Sequence, residues 1–448
     1  MKTDLTNQKL SKTIIGFSVP FLLSYFLQTL YGMADLFIIG RFCEKDSTTA
    51  VSIGSQVMHM LTVIIVGLAV GCTVNIGKAV GAKKREEASS VIGTSATLFC
   101  VISLFLTAFL LLFAKGIVSV MFTPAEAQTG TLSYLRICFI GIPFIVAYNI
   151  ISSVFRGLGD SKTPMLFVIA ACVVNIALDY LFIGRMFLGP IGAAYGTVLS
   201  QTFSVCFALI YMRFADIGVK IKLSHLIPKK SIVLSLFKVG LPIALQDGFI
   251  QVSFLVITMI ANRKSLDTAA AVGVVEKLIG FFFLIPSSML GAVSAVASQN
   301  IGAKKYDRAK QTLKYCAFAA AGFGLFFSVL MQFFAEPAVS VFTKDETVIS
   351  MGADYLRGYI WDCMFAGIHF CFSGYFSACG KSVLSFVHNI ISILTARIPL
   401  AYLASVRYES LLPMGFAPTI GSLISVVICL IMYIMLNSRL VGDNEKEI

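Results

Sequence analysis

Residues 163–184 read TPMLFVIAACVVNIALDYLFIG, an apolar run carrying one amide inside it, Asn175, and one acid, Asp179. A helix needs about 20 such residues to cross the hydrocarbon core of a bilayer. Only 13% of the 448 residues are charged and 57% are hydrophobic, whereas soluble domains carry roughly 25% charge. So few charges cannot cover a water-facing globule of this length, and a bilayer is the solvent that permits the composition. Further runs of spanning length start near Ile14, Val51, Val91, Leu132 and Ile191, and again near Leu236, Ala269, Leu313, Tyr355, Val383 and Met414. With the run at Thr163 they predict an all-α polytopic membrane protein of twelve transmembrane helices.

The chain repeats itself. Gly81-Ala82-Lys83-Lys84 recurs as Gly302-Ala303-Lys304-Lys305, and Tyr134-Leu135-Arg136 as Tyr355-Leu356-Arg357, both at a shift of 221. Phe155 and Gly159 match Phe376 and Gly380 at the same shift, Pro20 matches Pro242 at 222, and Pro190 with Gly192 matches Pro413 with Gly415 at 223. A near-constant shift across separate places is the mark of duplication. Six helices return the chain to its starting side, so the halves share one orientation as a parallel repeat. The expected organisation is an N-terminal six-helix lobe over 1–215, a polar cytoplasmic linker over 216–231 and a C-terminal six-helix lobe over 232–448, the lobes flanking a central cleft suited to alternating access.

Basic residues concentrate on one side of a membrane, the cytoplasmic one. With the N-terminus inside, the inside segments hold 23 Lys and Arg, among them Lys2, Lys9, Lys12 and two near the C-terminus, and the outside loops hold 8. Both termini are therefore expected in the cytoplasm of a cell (inner) membrane protein. This placement also accounts for the net charge of +12 without nucleic acid, which would need a basic face on a soluble domain. The eleven cysteines form no CxxC pair, so neither a zinc site nor a disulfide framework is indicated. No GxxxxGK[ST] loop and no HExxH occurs, so nucleotide-driven and zincin chemistry are not indicated. The chain reads as a non-enzyme without a cofactor that works on an ion gradient.

Charges inside apolar runs cost roughly 2.5–3.5 kcal/mol each at a helix centre and mark function. Here they are Asp35, Asp179, Asp247, Glu276, Lys277, Asp362 and Arg397. Asn175 and Asp179 are four apart and share a helix face. With Asp35 on the first run and Thr197 on the sixth they make an all-oxygen set. Hard cations such as Na+ prefer oxygen ligands, and two close carboxylates equally hold a shared proton, because like charges resist ionising together. At shifts of 221 or 222, Asp35 falls on Val256 or Ile257 and Asp179 on Leu400 or Ala401. The acids belong to one half only, which favours an ion site over a shared architectural role.

In the second half, Glu276 either faces the cleft as counter-charge for a cationic substrate or forms an internal ion pair with Arg397. Asp247, Gln251, Met33, Phe282 and Met289 are further candidates for a substrate cleft, Met and aromatic side chains adapting to varied shapes. His59, His369 and His388 are scattered and read as polar packing. Pro20 removes a backbone hydrogen bond and permits a bend in the first helix.

The chain resembles the multidrug and toxic compound extrusion (MATE) family over residues 10–438. The resemblance rests on the two six-helix halves, the GAKK-type loops and the segment Phe155-Arg156-Gly157-Leu158-Gly159-Asp160. It implies a secondary active efflux transporter that exchanges organic, mainly cationic compounds for Na+ or H+. It further resembles the branch with a cation site in the N-terminal lobe, which implies that Asp35, Asn175, Asp179 and Thr197 bind Na+ or a proton and that Pro20 is the bending proline. Another branch uses an acid about two turns after the second proline, where this chain has Ile250 and Gln251. The expected partners are small organic substrates and the lipid bilayer, with the chain a monomer. A flippase for lipid-linked precursors is the rival reading, disfavoured by twelve helices and membrane-embedded acids.

Overall fold

A computed structural model describes residues 5–215 and 217–444, with side chains through Leu436. Lys2, Asp216 of the linker and the side chains of the two C-terminal basic residues lie outside that set. Every element among the described residues is helical. The first seven long helices are α1 (Leu10–Phe42), α2 (Lys45–Gly81), α3 (Arg85–Val120), α4 (Ala125–Ile140), α5 (Ile142–Gly157), α6 (Lys162–Asp179) and α7 (Gly189–Phe214). A short 3-10 turn, Leu223–Leu226, follows. The chain continues through α8 (Lys230–Lys264), α9 (Leu266–Phe282), α10 (Leu284–Gly302), α11 (Tyr306–Ser340), α12 (Glu346–Tyr359) and α13 (Asp362–Ala378). It ends with α14 (Val383–Ser392), α15 (Ile398–Arg407) and α16 (Leu412–Asn444). Two π-helical segments interrupt this order, Tyr180–Arg185 after α6 and Ile393–Arg397 between α14 and α15.

Ten helices among the described residues are long and apolar enough to cross a bilayer, counting α9–α10, α6 with its π turn, and α14–α15 as one span each. Residues 125–157 make an eleventh, bent by 50° between α4 and α5. Residues 346–378 are its counterpart at an offset of 221 and make the twelfth; Glu346, Asp354, Arg357 and Asp362 dilute its hydropathy. Most helices start several residues before the apolar run does, α3 at Arg85 rather than Val91 and α11 at Tyr306 rather than Leu313. Hydropathy marks where lipid begins, whereas helical hydrogen bonding runs on into water. On α3, Val101, Leu104, Phe105, Leu112 and Phe113 are all exposed, an apolar face suited to lipid.

The chain forms two compact units, one through Gly240 with Gly302–Lys304, the other from Leu241 to Ile301 and from Lys305 onward. Each has its own apolar core, around Ile76, Leu135 and Phe139 in the first and around Val275, Tyr355 and Leu356 in the second. The duplication extends to individual hydrogen bonds. Thr73 Oγ1 donates to the Ser153 carbonyl at 3.1 Å, and Ser294 Oγ donates to the Gly374 carbonyl at 3.4 Å, both residues shifted by 221. Gly159 and Gly380 end α5 and α13 at φ 91° and 76°, with Asp160 N–H and Lys381 N–H closing onto the carbonyls of Phe155 and Phe376 at 2.8 Å. These are Schellman closures, in which a left-handed residue is needed and glycine supplies it without strain. Lys83 and Lys304, both at φ 59°, close α2 and α10 with a side chain in the same region.

The polar linker is clamped onto the start of α3. His225, 5% exposed, accepts the Lys222 N–H on Nδ1 at 3.1 Å, which leaves Nε2 as donor to Glu86 Oε1 at 2.9 Å. Lys222 Nζ adds an ion pair to the same carboxylate at 3.5 Å, and Thr97 donates to the Leu226 carbonyl at 2.6 Å. Gly93 is required beneath it, because any Cβ there would collide with the His225 carbonyl. The His225 hydrogen bond, and then Lys222, hold the Glu86 carboxyl below its usual range. A carboxylate with a depressed folded-state value contributes stability above its unfolded value and loses it as pH falls through the folded one. Glu86→Ala should therefore raise tryptic cleavage at Lys220 and Lys222 severalfold at neutral pH while both helix bundles resist. Unchanged cleavage would show that the clamp does not hold the linker.

Candidate cation site

Three spans of the first unit meet around two acids. Asp35 comes from α1, Asn175 and Asp179 from the last turn and a half of α6, and Thr197 from α7. Asp35 is 3% exposed, Asn175 1% and Asp179 0%, so no water shell compensates their polarity. Asp35 faces Asp179, Thr197 and Asn175 together. The Thr197 hydroxyl donates to Asp35 Oδ2 at 3.3 Å. The remaining oxygens, Asp35 Oδ1, both of Asp179 and Asn175 Oδ1, have no hydrogen-bond donor. Buried polar atoms are almost always paired, and a cluster of bare acceptors around two acids is complementary to a positive charge. A monovalent metal ion bound by oxygens fits this set, and so does a proton shared by the two carboxyls.

The backbone shapes the pocket as much as the ligands do. Directly after Asp179 the helix widens into the π segment Tyr180–Arg185; such turns recur at functional sites because they re-aim the side chains beside them. On α7, Gly196 lies against the acid, and a Cβ there would collide with Asp179 Oδ1 and come within 3.7 Å of Asn175 Nδ2. Sequence reasoning missed Gly196; its only signal was a glycine adjoining Thr197. A second ring lies close by: Tyr31 and Tyr134 are in electrostatic reach of Asp35, Gln201 donates to Tyr31 OH at 3.3 Å, and Ser55 bonds Tyr134 OH at 3.2 Å.

Pro20 sits inside a continuous α1, where the Ser24 hydroxyl takes up the Pro20 carbonyl at 2.8 Å. Met33, on the same helix, is 41% exposed. The other candidates belong to the second unit. Glu276, half-buried on α9, accepts from Thr258 Oγ1 at 3.0 and 3.1 Å. Arg397 pairs instead with Asp362. Asp247 and Gln251 are half-buried on α8 and Met289 on α10. Phe282 packs on Phe327 at 5.2 Å between ring centroids, at the edge of the second core. His369 and His388, from α13 and α14, meet edge to face at 5.4 Å between ring centroids, with His388 Nε2 bonded to Ser373 Oγ at 3.0 Å. Their separation of 19 residues hid this contact in the sequence.

A family model, MatE, matches residues 20–181 and 242–403, two stretches whose starts differ by 222. The probable multidrug resistance protein YoeA of Bacillus subtilis (strain 168) is 28% identical over 414 residues, covering 90% of this chain and 89% of its own. The multidrug export protein MepA of Staphylococcus aureus (strain NCTC 8325 / PS 47) is 26% identical over 375 residues, covering 83% and 82%. In fold the chain is similar to an outward-facing multidrug resistance MATE family transporter of the MOP superfamily, with TM-score 0.91 at 22% identity over 99% of this chain and 100% of that one.

The glycine cradle makes a sharp prediction. Gly196→Ala should push the Asp179 carboxylate out of register and lower the affinity for a monovalent cation by roughly tenfold or more, about 1.4 kcal/mol. Gly16→Ala, where a Cβ meets nothing within 4 Å, should leave it unchanged. Cation titration of the two purified variants checks this, and equal affinities would remove Gly196 from the site.

Proposed function

We infer function from one premise: this chain belongs to the MatE family, and it is a multidrug efflux transporter, a multi-pass protein of the cell membrane. We propose that it works as an antiporter, exporting organic, mainly cationic compounds against Na+ or H+, and that Asp35 and Asp179 with Asn175 and Thr197 hold the coupling ion. The observation that carries this is the set of buried, unpartnered oxygens around Asp35 and Asp179. Two like charges in a low-dielectric interior repel strongly, so the empty, charged site disfavours a closed first unit. Entry of an ion or proton removes that repulsion and lets the helices collapse. An antiporter needs ion and cargo to favour opposite states of one bistable element, and α1 with its internal proline is the element best placed to move. We also propose that both termini and the linker face the cytoplasm, on the strength of the basic residues.

Asp35→Asn and Asp179→Asn imitate the neutralised state permanently. Each should abolish gradient-driven export of a fluorescent organic cation from vesicles with imposed sodium or proton gradients, while substrate binding survives. Asn175→Ala and Thr197→Ala should slow export only severalfold, since each removes a neutral ligand. Export at the unmodified rate in both carboxylate variants would exclude this site from coupling. A sodium requirement identifies a metal ion as the coupling species, and a pH dependence without sodium identifies the proton. Separately, a topology reporter placed at Ser224 should be active only in the cytoplasm; an external signal would overturn the orientation.

A further inference from the structure

The second unit carries its own buried acid, and it answers that charge differently. Asp362 opens α13 at 0% exposure, and Arg397 closes the π segment Ile393–Arg397 with its side chain 7% exposed. The guanidinium Nη2 lies 3.5 Å from Asp362 Oδ2 and donates to Tyr359 OH at 2.9 Å. Its carbon rests 4.9 Å from the centre of the Phe254 ring, within cation–π range. No other ion pair among the described residues has both side chains this deeply buried.

The internal repeat gives this pair its meaning. At the offsets of 221 and 222 that relate the two halves, Ala396 and Arg397 stand where Asn175 stands in the first unit, and of these Arg397 carries the polar side chain. In the first unit that position supplies a neutral amide beside two carboxylates, three of whose four oxygens lack partners, whereas Asp362 leaves only Oδ1 without a hydrogen bond. In the second it supplies a cation that cannot be deprotonated. We propose that Arg397 is a tethered cation filling the second unit's counterpart of the ion site, so that Asp362 takes up neither a diffusible cation nor a proton during transport. A buried carboxylate without a partner is strongly unfavourable, while one with a fixed guanidinium beside it is neutralised at no ion's expense. A diffusible ion could reach Asp362 only by displacing a charge anchored to Tyr359 and Phe254. The inference concerns the second unit alone and stands whether or not Asp35 and Asp179 couple transport.

The titratable groups in electrostatic reach of this pair are Glu276 from α9, Tyr355 and Tyr359 from α12, and Cys363 and His369 from α13. Any test must separate Asp362 from them. The chain provides the reporter, since its one tryptophan, Trp361, immediately precedes Asp362 and packs at the edge of the second core.

Trp361 fluorescence of the full chain in lipid nanodiscs is followed against sodium, and from about pH 8 to about pH 5, in an Asp35→Asn/Asp179→Asn background that silences the first unit. With Arg397 in place, adding Asp362→Asn should leave the sodium and pH responses unchanged, because Asp362 contributes none. Arg397→Met should create a new sodium- or pH-dependent change that Asp362→Asn then removes, and Arg397→Lys should not create it. The proposal is overturned if the chain with Arg397 shows a response that Asp362→Asn abolishes, or if the folded Arg397→Met chain shows no new response. The first comparison decides the matter even where Arg397→Met fails to fold.

Discussion

Hydrocarbon offers no hydrogen bonds, so every backbone N–H and C=O inside a bilayer must find its partner within the protein. This constraint explains both the monotony of the architecture and the places where it breaks. Uninterrupted helices satisfy themselves. Interruptions survive only where something else closes the ladder. Beyond Asp179 the π segment does so with longer-range bonds, Met186 N–H to the Leu181 carbonyl at 3.0 Å and Leu188 N–H to the Phe182 carbonyl at 2.9 Å. Between α4 and α5, Gly141 N–H bonds back to Ile137 at 3.1 Å while its carbonyl receives Phe144 and Ile145, so Gly141 is bonded on both sides of the bend.

Side chains in the same medium obey the same rule, and the polar groups that break it stand out. Thr62, Thr131 and Thr202 return their hydroxyls to carbonyls four residues back, each at 2.8 Å, and so cost little. The oxygens around Asp35 and Asp179 make no such arrangement. What sets them apart is their concentration: several unmatched acceptors around two acids, a set complementary to a positive charge. In Asp362 and Arg397 the fold has matched one buried charge with another.

Much of this was legible in the sequence. Apolar runs marked the spans, the offset of 221 marked the duplication, and isolated acids marked the polar centres, because each rests on composition or local spacing. What escaped depends on contacts between distant segments. No spacing rule joins Asp362 to Arg397, 35 residues apart, and composition alone offers Glu276 as an equally good partner. The clamp between His225 and Glu86 bridges 139 residues and stabilises a stretch that reads as an ordinary polar linker. Gly196 was invisible for another reason: its contribution is the absence of a side chain, and that has meaning only once Asp179 is seen pressed against it.

The two units also show what duplication holds fixed. The interhelical bond from Thr73 or Ser294 to the opposing carbonyl, and the glycine closures at Gly159 and Gly380, recur at one offset. These features tie neighbouring helices together and set where helices end. The buried acids do not recur. Because a buried carboxylate is costly unless matched, the two copies treat their acids differently: the first leaves the oxygens around Asp35 and Asp179 largely unmatched, and the second sets Arg397 beside Asp362. A chain that left its acids unmatched in both copies would have two ion-dependent elements to keep in step. On the proposed reading, closing one site with Arg397 would leave a single ion-dependent unit, so that one gradient would drive one transition.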